Sequence, residues 1–314
     1  MRTEDPAPDG IHQSLYCCPV CKGRLAPVQS GQECLECGEV FRQFGNVPVL
    51  VSRGNPVFGN ADLSKMESSG FRKPLLHRLG SWIPSPSLDR AGNAWRALLG
   101  RPDSRRMRTC LIIGAGDDTR LADEMKEHFD RVVVSDVVLG PNVDVICDGM
   151  DLPLGSDSID CVLLLAVLEH VLDPAKVVSE VRRVLRDGGL VVADTPFMQP
   201  VHMRQYDFTR FTDLGYRWLF RDFEEVSRGV SVGPASGLVW SVMYLFRSLG
   251  WSRGSSLVLA TIARLLFFWI KYLDLLIARR PSARDAAAGL YFVGRKASAP
   301  PISVSKLLAD YRGY

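Results

Sequence analysis

The chain has 314 residues, of which 46% are hydrophobic and 23% charged, which is ordinary for a globular protein with one sizeable α/β domain and small additional modules. Its formal net charge of +3 is nearly neutral, which argues against a dedicated nucleic-acid-binding protein. Residues 1–16 carry acids and prolines where a signal peptide would have an apolar segment, so we expect a cytoplasmic protein.

Two CxxC pairs, separated by twelve residues, follow this polar lead. The four cysteines of the pairs are Cys18, Cys21, Cys34 and Cys37. Each pair can turn two thiolates toward one point, and four thiolates form the tetrahedral site that zinc prefers. Redox-active pairs are the alternative, but a redox CxxC normally opens a helix, which Pro19 opposes. We predict a zinc ion at this site, with Cys17 as a competitor for the position of Cys18.

Residues 17–51 as a whole resemble the Trm112-like zinc ribbons, which often precede or partner methyltransferases. Because four protein ligands leave no open coordination position, the zinc ion is expected to be structural. We assign residues 1–54 to the ribbon with a disordered lead. Residues 55–105 are expected to form a linker with one or two helices.

From Arg106 onward, apolar runs alternate with helical stretches, which is typical of a parallel sheet with crossover helices. The predicted strands are Cys110–Ile113, Arg131–Ser135, Val143–Cys147, Ile159–Leu165, Leu190–Ala193, a strand near 223–232, and Leu290–Gly294. A helix is predicted over 174–186, ending at Asp187-Gly188-Gly189, and another over 212–220. We assign residues 106–297 to one α/β core and 298–314 to a C-terminal tail.

A strongly apolar stretch, residues 238–277, interrupts the last part of this core. It predicts an insertion of two hydrophobic helices, joined around Gly254, within residues 236–282. Leu257–Ile277 is long enough to span a membrane, but its three charged residues make spanning close to break-even or unfavourable. We expect the hairpin to lie on the cytoplasmic face of the membrane without crossing it, with burial against the core or in a homodimer as the alternatives.

A glycine-rich turn follows the first core strand at Gly114-Ala115-Gly116, and Asp136 follows the second strand. Glycines there allow a ligand to approach the backbone, and an acid at the second strand can accept hydrogen bonds from ribose hydroxyls. This spacing fits NAD-dependent dehydrogenases as well as methyltransferases. Thr119 stands where the third glycine of the dinucleotide fingerprint would be, which counts modestly against a dinucleotide.

The next segments resemble the class I methyltransferases of the type-11 group. The likeness rests on Asp148-Gly149-Met150 before a Leu-Pro pair, on Leu168-Glu169-His170, and on the Gly188-Gly189 stretch. It implies a Rossmann-like α/β fold with a seven-stranded, mostly parallel sheet and an antiparallel last strand. It also implies the cofactor S-adenosylmethionine. Its expected contacts are Gly114, Gly116 and Ala166 along the cofactor, Asp136 at the ribose, and Asp148 with Met150 at the adenine.

The loop after the fifth core strand carries acid–base side chains that are unusual in a simple connection. His202 and Asp207 lie in it, and His170 follows the fourth strand. A similar stretch of His, Asp, Arg-Phe-Thr occurs in bacterial type-11 methyltransferases of glycan and lipid-linked pathways. We predict that His202 or Asp207 deprotonates or orients the acceptor, with His170 as a second candidate. The structural alternative is that Asp207 and Thr212 cap the next helix.

The predicted function is methyl transfer from S-adenosylmethionine to a hydroxyl of a small-molecule, glycan or lipid-linked acceptor. One alternative is an rRNA or tRNA methyltransferase whose zinc ribbon binds RNA, but the ribbon lacks a basic, aromatic-interleaved stripe. A second alternative is a scaffold that binds the cofactor without catalysis. A homodimer is compatible with all three.

Overall fold

The computed structural model describes residues 15–58, 93, 96, 107–116, 119–298 and 300–313. The predicted disordered lead and most of the predicted linker over 55–105 therefore lie outside the described residues. The chain divides into two compact units. The first comprises residues 1–69, 105–164 and 173–190, and the second comprises residues 70–104, 165–172 and 191–314.

The first unit begins with an antiparallel meander of four short strands. These are β1 (Leu25–Val28), β2 (Gly31–Cys34), β3 (Val40–Phe44) and β4 (Val47–Leu50). Strand β4 also pairs in parallel with a core strand, with Val49 opposite Ile146. The cysteine-bearing segment is therefore continuous with the sheet of the core, whereas the sequence alone describes it as a separate module.

The core strands of this unit are parallel and almost wholly buried, as continuous Val, Ile and Leu runs predict. They are β5 (Thr109–Ile113), β6 (Arg131–Asp136), β7 (Val145–Cys147) and β8 (Ile159–Leu165). The first half of β9 (Leu185–Pro196), which is only partly buried, lies beside β8. Their order is β4-β7-β6-β5-β8-β9. The carboxyl ends of β5, β6 and β7 carry the predicted cofactor residues, and parallel strands bring those ends to one edge of the sheet.

Two helices belong to the first unit, α1 (Thr119–His128) and α2 (Pro174–Val184). Asp173 caps α2 by accepting a hydrogen bond from the Lys176 N–H, and four valines form its buried face. The sequence places the end of this helix at residue 186, but the chain is already extended at Leu185. Strand β9 is correspondingly longer than predicted, and it begins before the glycine pair rather than after it.

In the second unit, the later half of β9 neighbours β11 (Gly289–Arg295), which pairs antiparallel with β10 (Glu224–Val232). Helices α3 (Asp213–Leu219) and α7 (Val304–Ala309) also belong to this unit. The predicted helix over 212–220 is confirmed, with Thr212 as its cap. Strands β5 to β11 make up the Rossmann-like, mostly parallel sheet with an antiparallel last strand that the sequence predicts.

The predicted apolar insertion is helical. It comprises α4 (Pro234–Ser248), α5 (Arg253–Phe267), a 3₁₀ segment (Phe268–Leu273) and α6 (Asp274–Ile277). The helices separate at residues 249–252, slightly before the predicted position. Ser252 and Ser255 form a capping box that starts α5, so Gly254 falls in its first turn.

Candidate cofactor site, cysteine cluster and histidine cluster

The glycine turn after β5, residues 114–116, is hydrogen-bonded to Asp136 at the end of β6. Gly114 and Gly116 have φ values of +72° and +56°, a region that glycine enters without steric cost. The Asp136 carboxylate accepts a hydrogen bond from the Gly116 N–H at 2.8 Å and another from the Val138 N–H at 3.1 Å. These two hydrogen bonds place the carboxylate of Asp136, the predicted ribose acceptor, beside the glycine turn.

Asp148 is buried at the end of β7 and is engaged on both oxygens. Its Oδ1 accepts a hydrogen bond from the Met150 N–H at 2.9 Å, and its Oδ2 accepts one from the Asn55 side-chain amide at 2.6 Å. The Asn55 Oδ1 in turn accepts from the N–H groups of Val57 and Phe58. Sequence reasoning missed Asn55, because no local pattern joins two residues that are 93 positions apart.

The other two predicted cofactor residues have unequal exposure. Met150 is buried in the one-turn helix Gly149–Asp151, which Asp148 caps. Gly149 packs against Ile113, the residue before the glycine turn, so these two parts of the predicted site are neighbours. Ala166, in the second unit, is exposed with a φ of +56°, and its N–H donates to the Asp194 carbonyl at 3.0 Å. A left-handed alanine costs about 1–3 kcal/mol and often marks a functional position.

The four paired cysteines form one cluster. The Sγ atoms of Cys18 and Cys37 are 3.7 Å apart, and those of Cys21 and Cys34 are 3.4 Å apart. All four Sγ atoms lie within 4.8 Å of one another. Tetrahedral zinc with Zn–S bonds of 2.3 Å requires Sγ–Sγ separations of about 3.8 Å, so the donor set and its spacing fit zinc. Cys18, and not Cys17, belongs to this cluster.

One cysteine of the cluster has a lowered pKa. Burial of the Cys34 thiol opposes ionisation, but hydrogen bonds from the backbone N–H groups of Cys37 and Glu36 lower its pKa to about 7. A thiol that ionises near neutral pH is prepared for metal binding, since the ligand is the thiolate.

In the second unit, His170 and His202 meet at a buried carboxylate. The Nε2 atoms of both rings lie 3.6 Å from Glu169 Oε1, and the ring centroids are 4.8 Å apart. Glu169 is fully buried. The sequence predicts an acid–base role for the neighbouring His170, but it indicates Glu169 only as part of the Leu-Glu-His pattern. The two predicted histidines therefore lie together, although 32 positions separate them.

Hydrogen bonding orients the His170 ring. Its Nδ1 lies 2.6 Å from the Tyr206 carbonyl oxygen, which can only accept. In the neutral ring the proton must therefore be on Nδ1, which leaves a lone pair on Nε2 facing Glu169.

Both carboxylate oxygens of Asp207, a predicted proton acceptor, already accept hydrogen bonds within the protein. Arg210 donates to both of its oxygens, and the His202 N–H donates to Oδ2 at 2.7 Å. Burial opposes ionisation of Asp207, but these donors lower its pKa to about 2. A carboxylate with so low a pKa is a weak base at neutral pH, so Asp207 orients the His202 segment. It does not cap α3, which Thr212 does.

Part of the chain is similar to known proteins. The family described as "Methyltransferase domain" matches residues 111–193. An uncharacterised 37.1 kDa protein in a transposon of Streptomyces fradiae is 35% identical over 85 residues, covering 27% of this chain and 23% of that protein. A protein of Mycolicibacterium smegmatis, described as "Probable S-adenosylmethionine-dependent methyltransferase", is 35% identical over 99 residues, covering 27% of this chain and 38% of that protein. The chain thus matches less than half the length of either relative.

Solved structures are similar at lower identity. One is a chain of the complex between the Haloferax volcanii Trm112 methyltransferase activator and a methyltransferase. Its sequence is 17% identical, the match covers 67% of this chain and 91% of that chain, and the TM-score is 0.41. Another is the 1,6-didemethyltoxoflavin-N1-methyltransferase of Burkholderia thailandensis, with 15% identity, 69% and 81% covered, and a TM-score of 0.43.

Proposed function

We propose that the chain is an S-adenosylmethionine-dependent methyltransferase, because residues 111–193 match the family described as "Methyltransferase domain". The observation that carries the proposal is the hydrogen bond between Asp136 and Gly116, which joins the predicted ribose acceptor to the glycine turn. Asp148 lies at the end of the next strand in the sheet order, where the adenine amino group needs an acceptor.

Calorimetry with the full chain tests this assignment. We expect micromolar-range binding of S-adenosylmethionine and no useful binding of NAD. Asp136→Ala should weaken binding by about 2–4 kcal/mol, because two charge-assisted hydrogen bonds to the ribose are lost. Asp123→Ala, at an exposed acid of α1, is the matched control and should leave the affinity unchanged. Tighter binding of NAD than of S-adenosylmethionine would overturn the family-based function.

We propose a hydroxyl group as the acceptor, activated by the cluster of Glu169, His170 and His202. Methyl transfer from a sulfonium is an in-line displacement, and activation is needed only when the nucleophile is a weak acid such as a hydroxyl. Untargeted comparison of metabolites and lipids in cells with and without the protein would identify the acceptor. With that acceptor, His202→Ala should lower turnover by about 10²–10⁴ while the affinity for S-adenosylmethionine stays unchanged. A variant with full turnover would return His202 to a structural role, and binding without any turnover would favour the scaffold alternative.

We propose that the helical hairpin attaches the enzyme to an anionic membrane surface. Two of its charged side chains are buried against the protein, whereas many of its large apolar side chains are exposed. Lys271 and Asp274 are buried, and Asp274 accepts hydrogen bonds from the N–H groups of Ala235 and Ser236 at the start of α4, each at 2.9 Å. The Lys271 ammonium lies over the Trp240 ring. The charged residues thus face the protein.

The outward face of the hairpin is apolar instead. Of the fifteen residues of α5, all of them described, Ala263 alone is buried. The exposed large apolar residues of the hairpin are Leu238, Leu245, Leu249, Trp251, Leu257, Val258, Ile262, Leu265, Leu266, Trp269, Leu273, Leu275 and Leu276. This argues against burial of the hairpin in the core of its own chain. The residues Arg253–Ile277 form one helical stretch that is long and apolar enough to cross a membrane, by length and composition only.

Four exposed arginines flank the apolar helices in sequence and complement the charge of acidic lipids. They are Arg247, Arg253, Arg279 and Arg280. An apolar face with flanking arginines fits the boundary between lipid headgroups and acyl chains, and an enzyme held there would meet a lipid-linked acceptor. Extraction by high salt or carbonate would support surface attachment, and resistance to both would favour a true span.

A further inference from the structure

The buried carboxylate between the two histidines has an unused oxygen. Glu169 Oε2 accepts a hydrogen bond from the Thr195 hydroxyl at 3.5 Å, but Oε1 has no hydrogen-bond partner among the described residues. Both histidine Nε2 atoms point at this Oε1, each at 3.6 Å, which is too long for a hydrogen bond. A buried anionic oxygen without a partner is costly, so the arrangement calls for a further charged group.

The spacing of these three atoms fits a metal ion. One ligand atom from each of Glu169, His170 and His202 lies within 4.8 Å of the others. A tetrahedral ion with ligand bonds of about 2.1 Å keeps its ligand atoms roughly 3.4 Å apart, which is close to the 3.6 Å between Glu169 Oε1 and each histidine Nε2. Two imidazoles and one carboxylate are a ligand set of catalytic sites for divalent transition metals.

A hydrogen bond orients the His170 ring as a metal ligand requires, and a carboxylate lies near the second histidine. The Tyr206 carbonyl accepts from His170 Nδ1, which leaves Nε2 free to coordinate. His202 Nδ1 lies 3.4 Å from the Asp207 carboxylate, which Arg210 holds in place, but it makes no hydrogen bond among the described residues. A carbonyl and a carboxylate behind two histidines are the partners that usually fix the tautomer of metal-bound imidazoles.

We propose that Glu169, His170 and His202 bind one divalent transition-metal ion, separate from the four-cysteine site, and that this ion binds the acceptor hydroxyl. Three protein ligands leave a coordination position open, and both histidines are partly exposed. An ion held by Glu169, His170 and His202 would lower the pKa of a hydroxyl bound at its open position, so that the hydroxyl loses its proton to solvent. The oxygen then forms a bond to the methyl carbon as the carbon–sulfur bond of the sulfonium breaks, which releases a neutral thioether. This mechanism rests on the proposed function, whereas the metal site itself does not.

Metal content of the purified full chain, after loading with Zn²⁺ and desalting, tests the site. We expect two ions per chain in the wild type, one in Glu169→Gln and in His202→Ala, and one in Cys34→Ser. His128→Ala, at an exposed histidine of α1, is the matched control and should keep two ions. Loading with Co²⁺ distinguishes the sites independently, because only the cysteine site should give thiolate-to-cobalt charge-transfer bands.

Each outcome decides the proposal. Loss of the second ion in both Glu169→Gln and His202→Ala, with melting temperatures close to that of the metal-free wild type and unchanged binding of S-adenosylmethionine, would support it. A single ion in the wild type, or a second ion retained in both variants, would overturn it and leave a metal-free cluster. If the second ion is present but S-adenosylmethionine does not bind the wild type, the proposed function fails while the metal site stands.

Discussion

The Asn55 side-chain amide donates a hydrogen bond of 2.6 Å to the Asp148 carboxylate, and both residues are buried. Asn55 follows the last strand of the cysteine-bearing meander, whereas Asp148 ends a core strand. The segment after the ribbon thus positions Asp148, the acid that is predicted to accept a hydrogen bond from the adenine amino group.

Replacing Asn55 should therefore weaken cofactor binding without any change in the cofactor contacts themselves. We expect Asn55→Ala to lower the affinity for S-adenosylmethionine about tenfold, since one hydrogen bond to a charged group is worth roughly 1.5–3 kcal/mol. Calorimetry measures this directly. Gln43→Ala removes an exposed amide from β3 and serves as the control. An unchanged affinity in Asn55→Ala would mean that Asp148 needs no support.

Loss of the zinc ion should also lower the affinity for the cofactor. From sequence alone, Cys34→Ser is expected to unfold residues 17–51 and leave the core able to bind its cofactor. Because β4 pairs with β7 next to Asp148, we now expect weaker binding of S-adenosylmethionine in Cys34→Ser and after chelation. Elemental analysis together with calorimetry tests both parts. Protein without stoichiometric metal in the wild type would refute the zinc assignment.

An ion-pair group links the first cysteine knuckle to helix α2. Lys22 donates to Glu180 at 2.9 Å and to the Leu152 carbonyl at 3.1 Å, and Arg183 also donates to Glu180. Burial opposes ionisation of Glu180, but these donors lower the pKa of the carboxyl. A lowered folded-state pKa stabilises the protein above the unfolded pKa of about 4.3 and ceases to do so as the pH falls through the folded value.

Glu180→Gln should accordingly reduce the free energy of unfolding by about 1–3 kcal/mol at pH 7. The difference from wild type should shrink as the pH falls below about 4. Denaturant titrations at several pH values measure it. Glu127→Gln, at an exposed acid of α1, controls for a general charge effect. A difference that does not depend on pH would assign the loss to packing.

The apolar face of the hairpin should bind anionic vesicles. Leu265→Glu and Leu276→Glu each remove a large exposed apolar group and add a charge, so we expect flotation with anionic liposomes to fall at least about tenfold. Leu308→Glu, at an equally exposed leucine of α7, should float like the wild type. Wild-type protein that stays soluble without detergent and ignores anionic liposomes would refute membrane attachment.

The sequence by itself predicted the core strands, the clustering of four cysteines and a set of candidate cofactor residues, which stays a prediction. These features depend on local patterns: apolar runs for β5 to β8, a twelve-residue spacing between cysteine pairs, a glycine turn after β5, and an acid at the end of β6 and after β7. The end of α2 was misplaced by two residues, because the glycine pair lies inside the following strand and does not end the helix.

Only the tertiary structure decided which distant side chains share a site. The contact of Asn55 with Asp148, and that of Glu169 with His202, join segments whose sequences carry no sign of one another. The same holds for the hairpin, whose composition is compatible with burial, attachment or spanning. In the structure, Asp274 is buried and accepts hydrogen bonds from the first turn of α4, whereas large apolar side chains of the hairpin are exposed. Pairing across long separations depends on how the chain packs, and local residue patterns do not encode that packing.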